Sequence, residues 1–382
     1  MEVNKIYQGS SLDILKSLPS ESIDMVITSP PYWALRDYGT ASWIDGDPSC
    51  DHQIPNYEQD PKNPGAGSHI SRFNKTNCYK CGAKRVDLQI GLEQTFQEYI
   101  DKLCNIFDEV KRILKNTGTC WVNLGDTYQA SPVSGKQGGF SGRAAKRNLE
   151  YGKALLVKKP KSGLPNKCLL QIPNRFAIEM CNRGWILRNE IIWYKRNVMP
   201  TSVKDRFTMD FEKLFFFVKN QKYAFETQYE PYTAPMNRWG GEKLVAKGES
   251  AWDEGTGQGT YRDRNMRPNE KGRNKRCVWD IPTKPFKGAH FAVFPEQLIE
   301  SPIKAGCPDG GVVLDPFMGS GTTAVVAKRL NRNYIGIELN KEYIKIAENR
   351  LEGVQMPFDG LKQDNTGNPT YKGFNKRWRE SR

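Results

Sequence analysis

The residues with the clearest chemical meaning follow a short apolar run near the start of the chain. Residues 24–28 have the pattern of a buried strand, which stops at Ser29, Pro30, Pro31 and Tyr32. Two consecutive prolines stiffen a turn and remove two N–H donors, so its carbonyls are left as hydrogen-bond acceptors. A hydroxyl, a free carbonyl and an aromatic face together suit an exocyclic amine on a flat ring. The pattern predicts a binding loop for such a group, although Pro-Pro-Tyr alone is also typical of an ordinary turn.

A second loop with chemical meaning follows a strand-like run at residues 311–315. It is rich in glycine, including Gly319 and Gly321, and opens a helix-like run, so it presents free backbone N–H groups and permits a close approach of a ligand. The next strand-like run ends in Glu338, an acid placed to hold both hydroxyls of a ribose. The combination predicts a site for an adenosine-containing cofactor. The alternative is a structural strand–helix turn with a core-facing glutamate.

Two close pairs of metal-type ligands bracket a polar loop that is poor in apolar residues. The pairs are Cys50 with His52, and Cys78 with Cys81 in a Cys-x-x-Cys-Gly sequence. Three thiolates and one imidazole form a closed tetrahedral set, which predicts a structural zinc ion rather than a catalytic one. His69 is an alternative fourth ligand, and a loose loop with incidental thiols is the alternative to a metal site.

These loops need a scaffold, and strand-like and helix-like patterns alternate along most of the chain. Such alternation predicts an α/β fold with a mostly parallel sheet and helices on both faces. The strand-like runs are 24–28, 120–124, 186–194, 213–218, 311–315 and 334–338, and the helix-like runs are 96–114, 176–182 and 322–330.

Composition restricts the function further. The 382 residues carry a formal net charge of +14, with basic residues in excess at 131–165, 236–287 and 361–382. This charge favours a polyanionic partner such as nucleic acid. The mean hydropathy of −0.67 and the lack of a long apolar run predict no membrane span. The first residues lack the apolar core of a secretion signal, so we expect a cytoplasmic protein.

With these motifs in view, the sequence resembles a known family, the amino-group DNA methyltransferases that modify cytosine N4 or adenine N6 with S-adenosylmethionine. The catalytic loop precedes the cofactor loop, which is the permuted order of the β group. The resemblance implies a Rossmann-like methyltransferase sheet. It rests on TSPPYW at 28–33, DPFMGSGTT at 315–323, YIGIEL at 334–339, HFAVFPEQL at 290–298, RGWILRNEIIWYK at 183–195 and RFTMDFEKLFFFVK at 206–219.

The resemblance also implies roles for individual residues. The catalytic set is Ser29, Pro30, Pro31 and Tyr32, with Asp126 as a second acceptor or an ordinary loop acid. Where the family usually has Gly-Asp against the adenine of the cofactor, this chain has Gly9-Ser10, and Asp13 is a candidate substitute. The implied cofactor-binding set is Asp315, Phe317, Gly319, Gly321, Thr322, Thr323, Glu338, Phe291, Pro295 and Ser10.

A serine at the first position of the catalytic loop resembles the N4-cytosine enzymes. The resemblance therefore implies methylation of a flipped-out cytosine in double-stranded DNA, with adenine N6 as the alternative and a cognate restriction endonuclease as a partner. An RNA or protein-amide methyltransferase and a non-catalytic zinc-containing DNA-binding protein are the rival hypotheses. The expected layout is a catalytic domain at 1–33, 90–220 and 288–355, a zinc insertion at 34–89, a target-recognition region at 220–287 and a basic tail at 356–382.

Overall fold

The computed structural model describes residues 1–52, 77–78, 80–129, 155–156, 163–232, 269, 271–283 and 293–354. Within these residues, fourteen strands and six helices are defined. The strands are β1 (Lys5–Gln8), β2 (Ile23–Thr28), β3 (Arg36–Asp37), β4 (Ser42–Ile44), β5 (Lys84–Val86), β6 (Leu114–Leu124), β7 (Leu155–Leu156), β8 (Ile186–Tyr194), β9 (Phe211–Val218), β10 (Tyr229–Glu230), β11 (Arg273–Asn274), β12 (Val278–Asp280), β13 (Val312–Asp315) and β14 (Asn333–Glu338). The helices are α1 (Ser11–Ser17), α2 (Phe96–Ile113), α3 (Ile172–Asn182), α4 (Glu296–Gly306), α5 (Thr322–Arg329) and α6 (Lys341–Glu352).

Eight of the strands form one sheet in the order β1-β14-β13-β2-β6-β9-β8-β12. All neighbours in it pair in parallel except where β9 pairs with β6 and β8, so β9 alone runs in the opposite direction. Three two-stranded ladders accompany the sheet: β3 with β7, β4 with β5, and β10 with β11. The α/β fold with a mostly parallel sheet, expected from the alternation of patterns, is confirmed.

The aromatic run of β9 shows why the sheet is covered on both faces. Successive side chains of a strand point to opposite faces, and Phe215 and Phe217 belong to one buried cluster while Phe216 belongs to the other. Phe217 packs with α2 and α3, whereas Phe216 stacks on Trp121 with ring centroids 4.0 Å apart. Apolar side chains of α4 and α5 complete the second cluster. The strand is buried on both faces, as its unbroken apolar sequence indicates.

Most element bounds follow the sequence patterns, and the differences have physical reasons. Helix α2 ends at Ile113, and residues 116–118, which lie between the expected helix 96–114 and the expected strand 120–124, form a bulge near the start of β6. Strand β12 pairs with β8 in the large sheet, so it is not part of a separate recognition region as its place within 220–287 suggested. Elements β1, α1, α4 and α6 were not predicted, because short or partly exposed segments give weak periodicity.

The direction of the strands determines where functional groups gather. The carboxyl ends of parallel strands lie at one edge of a sheet, where α/β proteins bind ligands. In this sheet the edge brings together the residues that follow β1, β2, β6, β8, β13 and β14, and the reversed β9 begins there rather than ending there. Ser29, Lys195 and Glu338 therefore share an edge with Glu212, the second residue of β9.

Candidate active site

A cavity of about 390 Å³ lies at this edge of the sheet. Its size suits a nucleoside-sized ligand. Both loops singled out in the sequence line it: Ser29, Pro30, Pro31 and Tyr32 on one side, and residues 315–320 with Thr322 on the other. The two loops therefore lie on opposite sides of a single cavity.

Asp315 joins the two loops rather than facing the cavity with a free carboxylate. Its side chain is buried, and Thr28 at the end of β2 donates a hydrogen bond of 2.5 Å to Asp315 Oδ1. The Thr323 hydroxyl donates to Oδ2 at 2.6 Å, and the Phe317 amide donates to Oδ1 at 3.0 Å. Burial raises the pKa of Asp315 to about 6. The carboxylate thus fixes the loop around Phe317 against the strand that carries Ser29.

In the glycine turn, the backbone at Gly321 lies close to helix α6. Gly321 has a φ of +82°, and a Cβ placed on it would lie 2.6 Å from the Cβ of Ala347 on α6. A side chain is therefore excluded both by the left-handed backbone and by the neighbouring helix. Arg350, also on α6, donates to the Ser320 carbonyl at 2.7 Å and to the Thr322 hydroxyl at 3.0 Å. The turn is held from outside, so its inner side faces the cavity.

Glu338 ends β14 and lines the cavity, as its position in the sequence predicts. The Gly319 amide donates to Glu338 Oε2 at 2.8 Å, and the Asn340 amide donates to Oε1 at 2.7 Å. Burial, together with the nearby charge of Asp315, raises the pKa of Glu338 to about 7 despite these two donors. Each carboxylate oxygen retains acceptor capacity toward a ligand hydroxyl, which is what ribose binding needs.

At the other end of the cavity, Tyr32 is fixed by polar neighbours. Its hydroxyl donates to Glu212 Oε2 at 2.7 Å, with Asn123 Oδ1 at 3.2 Å as a second acceptor, and the Ser29 hydroxyl lies 3.4 Å from the same oxygen. A Cβ on Gly125 would lie 2.7 Å from the Tyr32 ring, so only glycine leaves room for it. Burial, followed by the charge of Glu212, raises the pKa of Tyr32 well above its ordinary value. Tyr32 is therefore a neutral phenol in a fixed orientation.

The structure gives Asp126 a position different from the one expected for a second acceptor. Its carboxylate accepts from the amides of Thr127 at 2.8 Å and of Ile172, the first residue of α3, at 3.1 Å. It is not among the residues that line the cavity. Burial raises its pKa, and the backbone donors offset part of that effect. Asp126 anchors the start of a helix instead of facing a substrate.

The other predicted residues divide into three groups. Ser10 lines the cavity, while Asp13, its candidate substitute, is exposed on α1. Gly321, Thr323 and Pro295 support the cavity from behind: Pro295 precedes α4, and its neighbour Phe294 contributes to the lining. Phe291 lies outside the described residues, as do most of the basic stretches at 131–165 and 236–287 and the tail at 361–382.

Sequence reasoning missed a group of polar residues at the substrate end. Glu212, Asn123 and Trp193 line the cavity next to Tyr32. Lys195, which ends the motif at 183–195, forms an ion pair with Glu212 inside the cavity. Their place depends on the reversed direction of β9, which brings its first residues to the carboxyl edge, and a strand-like sequence pattern gives no signal for that direction. Tyr38, Thr40, Leu88 and Gln89, at the base of the expected insertion, also line the cavity.

Comparison with known proteins identifies the family. Residues 23–349 match the family model of N6/N4 methyltransferases, described as DNA methylase. The chain is 37% identical to the Type II methyltransferase M.Cfr9I of Citrobacter freundii, over 91% of this chain and 87% of the relative. It is 34% identical to the Type II methyltransferase M.SmaI of Serratia marcescens, over 91% of this chain and 90% of the relative.

The chain belongs to this family of DNA methyltransferases. Its fold is similar to that of the PvuII DNA methyltransferase (cytosine-N4-specific), with a TM-score of 0.50, 19% identity, and coverage of 92% of this chain and 86% of that one. The resemblance to the β group of amino methyltransferases is confirmed, including the order in which the catalytic loop precedes the cofactor loop. In the described part of the methyltransferase, no helix is long and apolar enough to cross a membrane.

A second cluster of the methyltransferase lies in the predicted insertion. The ligand atoms of Cys50, His52, Cys78 and Cys81 all lie within 4.8 Å of one another. Cys50 Sγ is 3.9 Å from Cys78 Sγ, and Cys81 Sγ is 3.3 Å from His52 Nδ1. Two thiolates on a tetrahedral zinc ion at about 2.3 Å are roughly 3.8 Å apart, so these separations fit the ion. His69, the alternative ligand, lies outside the described residues.

Proposed function

We propose that this methyltransferase transfers a methyl group from S-adenosylmethionine to the exocyclic N4 of a flipped-out cytosine in double-stranded DNA. The observation that carries the proposal is the single cavity lined both by the Ser29–Tyr32 loop and by the glycine turn with Glu338. One end offers acceptors for an amine, and the other offers backbone donors and a carboxylate for a nucleoside. Two reactants held in one cavity replace a bimolecular encounter by an oriented one.

The cofactor end suits S-adenosylmethionine by its donor and acceptor chemistry. Glu338 accepts from the two ribose hydroxyls, and Phe317 offers an apolar surface beside the sulfonium region. The start of α5, with the Thr322 hydroxyl, offers donors to the carboxylate of the methionine moiety. Ser10 and Tyr38 lie on the cavity wall next to Glu338, where the adenine would extend. When bound, the cofactor supplies an electrophilic methyl group.

At the substrate end, the protein must raise the nucleophilicity of an aromatic amine whose lone pair is delocalised into the ring. Ser29 Oγ and the Pro30 carbonyl accept hydrogen bonds from the amine and favour a pyramidal nitrogen. The lone pair would then be directed at the methyl group for an in-line displacement, in which the N–C bond forms as the S–C bond breaks and the methylated amine releases its proton to solvent. No covalent enzyme intermediate is needed. Tyr32 offers a stacking face for a base taken out of the duplex. Preorganised acceptors supply most of the rate enhancement.

Cytosine is proposed because Ser29 occupies the first position of the catalytic loop, and because a structural relative is described as cytosine-N4-specific. Methylation of adenine N6 is the second candidate, since the family includes both reactions and the cavity has acceptors for either amine.

The decisive experiment uses the full-length protein with a methyl-labelled cofactor on duplex DNA, single-stranded RNA and protein substrates. We expect label only in duplex DNA, and sequencing that separates 4-methylcytosine from 6-methyladenine should find 4-methylcytosine at one recognition sequence. Label in adenine would replace the proposed base by the second candidate. Label only in RNA or protein, or in none of the substrates, would refute the proposed function.

We also propose that Cys50, His52, Cys78 and Cys81 bind one structural zinc ion. The support is geometric: four soft or borderline donors from two separate segments converge, and Trp43 on β4 stacks on His52 with centroids 5.4 Å apart. A Cβ on Gly46 would lie 3.0 Å from Cys81 Sγ, so the chain is packed closely around the cluster. The set leaves no open coordination position for catalysis.

The proposal also covers the biological setting, for which the relatives give support. In this proposal the enzyme acts in the cytoplasm, where it methylates the sites that a cognate restriction endonuclease would otherwise cut. Relatives that are named Type II methyltransferases support this setting. DNA recognition is assigned to the basic region within 220–287, apart from β12. Its lysines and arginines would contact phosphates, which predicts salt-sensitive binding.

A further inference from the structure

Four side chains at the substrate end of the cavity form a continuous chain of polar contacts. Ser29 Oγ is 3.4 Å from Tyr32 Oη, Tyr32 Oη donates to Glu212 Oε2 at 2.7 Å, and Lys195 Nζ donates to Glu212 Oε1. All four line the cavity, and Lys195 also lies over the Trp193 ring, 4.5 Å from its centroid. The roles proposed for Ser29 and Tyr32 leave Glu212 and Lys195 without a function.

The chemistry of the two ends fixes the direction of this chain. An ammonium group only donates hydrogen bonds, and an ionised carboxylate only accepts them. With Lys195 on one oxygen of Glu212, the other oxygen accepts the hydrogen bond that the Tyr32 hydroxyl donates. Tyr32 Oη is then left with lone pairs, so the Ser29 hydroxyl donates to it. Each hydroxyl therefore points its proton along the chain, that of Ser29 toward Tyr32 and that of Tyr32 toward Glu212.

Asn123 supports the same direction. Its Nδ2 donates to the Lys213 carbonyl at 3.2 Å, so its Oδ1 faces Tyr32 as a second acceptor, also at 3.2 Å. Burial keeps Tyr32 a neutral phenol, and therefore a donor, at neutral pH. The contact between Ser29 and Tyr32, at 3.4 Å, is the longest of the chain.

We propose that Glu212 and Lys195 are positioning residues that orient the Ser29 hydroxyl as an acceptor for the amine of the target base. The inference rests on the proposed function of Ser29. If the Ser29 proton pointed at the amine, it would donate a hydrogen bond to the nitrogen lone pair. The lone pair would then be less available to attack the methyl group. Glu212 prevents this through Tyr32, and Lys195 stabilises the charge of Glu212 at a site where side chains are largely buried.

The test begins with E212Q. Because Lys195 can only donate, it attracts the amide carbonyl and turns the amide NH₂ toward Tyr32, which weakens the acceptor end of the chain. We expect the single-turnover rate to fall by roughly 10- to 100-fold, with the dissociation constants of cofactor and DNA within about twofold of wild type. In K195M/E212Q the amide is free to turn its carbonyl toward Tyr32, so we expect several-fold recovery over E212Q.

Two further measurements separate this role from a general effect on structure. Y32F removes the hydroxyl that links Glu212 to Ser29, so E212Q added to Y32F should cause no further loss of rate. E190Q is the matched control, because Glu190 pairs with Lys213 on the same two strands, and neither residue lines the cavity. It should retain the wild-type rate.

The inference is overturned if E212Q keeps the wild-type rate, if its loss adds fully to that of Y32F, or if K195M/E212Q is no faster than E212Q. Failure of the proposed function is distinguishable, since the wild-type protein itself would then not methylate DNA. A wild-type enzyme that is active, with variants that behave in one of these three ways, refutes only the role of Glu212 and Lys195.

Discussion

The hydroxyl of Thr28 donates a hydrogen bond of 2.5 Å to the carboxylate of Asp315, a residue 287 positions later in the chain. Thr28 immediately precedes the catalytic loop, and Asp315 immediately precedes the glycine turn. Both residues are buried, so the bond is shielded from water. This buried bond therefore ties the two halves of the cavity together, in addition to the backbone pairing of β2 with β13.

The variant T28V should lower the stability of the protein and loosen the cavity. It removes a buried donor and leaves Asp315 Oδ1 with the Phe317 amide as its remaining partner, which costs about 1–3 kcal/mol of unfolding free energy. Chemical denaturation measures this loss. S17A, which removes an exposed hydroxyl bond on α1, should change stability by less than about 0.5 kcal/mol. Equal stability of T28V and the wild type would contradict the structural role of this bond.

Ser29 should matter for turnover and not for cofactor binding. S29A removes an acceptor at the substrate end of the cavity, so we expect kcat to fall by about 100-fold or more. The dissociation constant for S-adenosylmethionine should stay unchanged, because Ser29 lies opposite the glycine turn. S22A, whose hydroxyl bonds the Pro19 carbonyl outside the cavity, serves as a control. Wild-type turnover in S29A would remove Ser29 from the mechanism.

Cofactor affinity should depend on pH through Glu338. Its pKa of about 7 means that the carboxylate, which accepts from the ribose hydroxyls, is increasingly protonated below neutrality. We expect S-adenosylmethionine to bind about tenfold more weakly at pH 6 than at pH 8. Isothermal calorimetry measures this difference, and E338Q should bind weakly with a flat profile. A flat profile in the wild type would contradict the assignment of Glu338.

The raised pKa of Glu338 affects the stability of the protein without ligand in the opposite direction: cofactor binding strengthens as pH rises, whereas the free energy of unfolding decreases. A carboxyl whose folded pKa lies above its ordinary value of 4.5 favours folding while it is protonated. Its contribution is complete below pH 4.5 and is lost as pH rises to about 7. Denaturation of E338Q against wild type across this range should show a difference that grows with pH.

Metal analysis tests the zinc proposal. Protein purified without chelator should contain about one zinc per chain, and C81S should lose the metal because three ligands hold zinc poorly. C277S is the matched control, since Cys277 is exposed and lies outside the cluster. We also expect weaker cofactor binding in C81S, because Tyr38 and Gln89 at the base of the insertion line the cavity. Less than about a tenth of an equivalent in the wild type would refute the metal site.

The sequence was sufficient for the fold and for the two loops, because both depend on local signals. An apolar run that ends in two prolines, and a strand followed by glycines and a helix, each specify their own conformation. The cluster of Cys50, His52, Cys78 and Cys81 was also identifiable from spacing alone. The pairing of Glu212 with Lys195 was not, because it depends on β9 running against its neighbours, and a strand pattern does not show its direction.

Asp126 is a residue that the sequence assigned to the site and the structure places outside it. An acid that follows a strand at the carboxyl edge is a reasonable candidate for the site, yet its carboxylate faces the amides of Thr127 and Ile172. The choice between a cavity-facing and a helix-anchoring orientation depends on where α3 begins in space. That position is set by packing of Phe176 against Phe107 and Phe217, contacts between residues far apart in the chain.

The pairing of β1 with β14 has a consequence for synthesis on the ribosome. Strand β1 is synthesised long before its partner β14, and the Ser29 loop long before the turn around Gly319. Such long-range pairing slows folding, and the cofactor end of the cavity cannot form until β14 has been synthesised. Premature termination before β13 would thus yield fragments that are inert toward the cofactor rather than partly active.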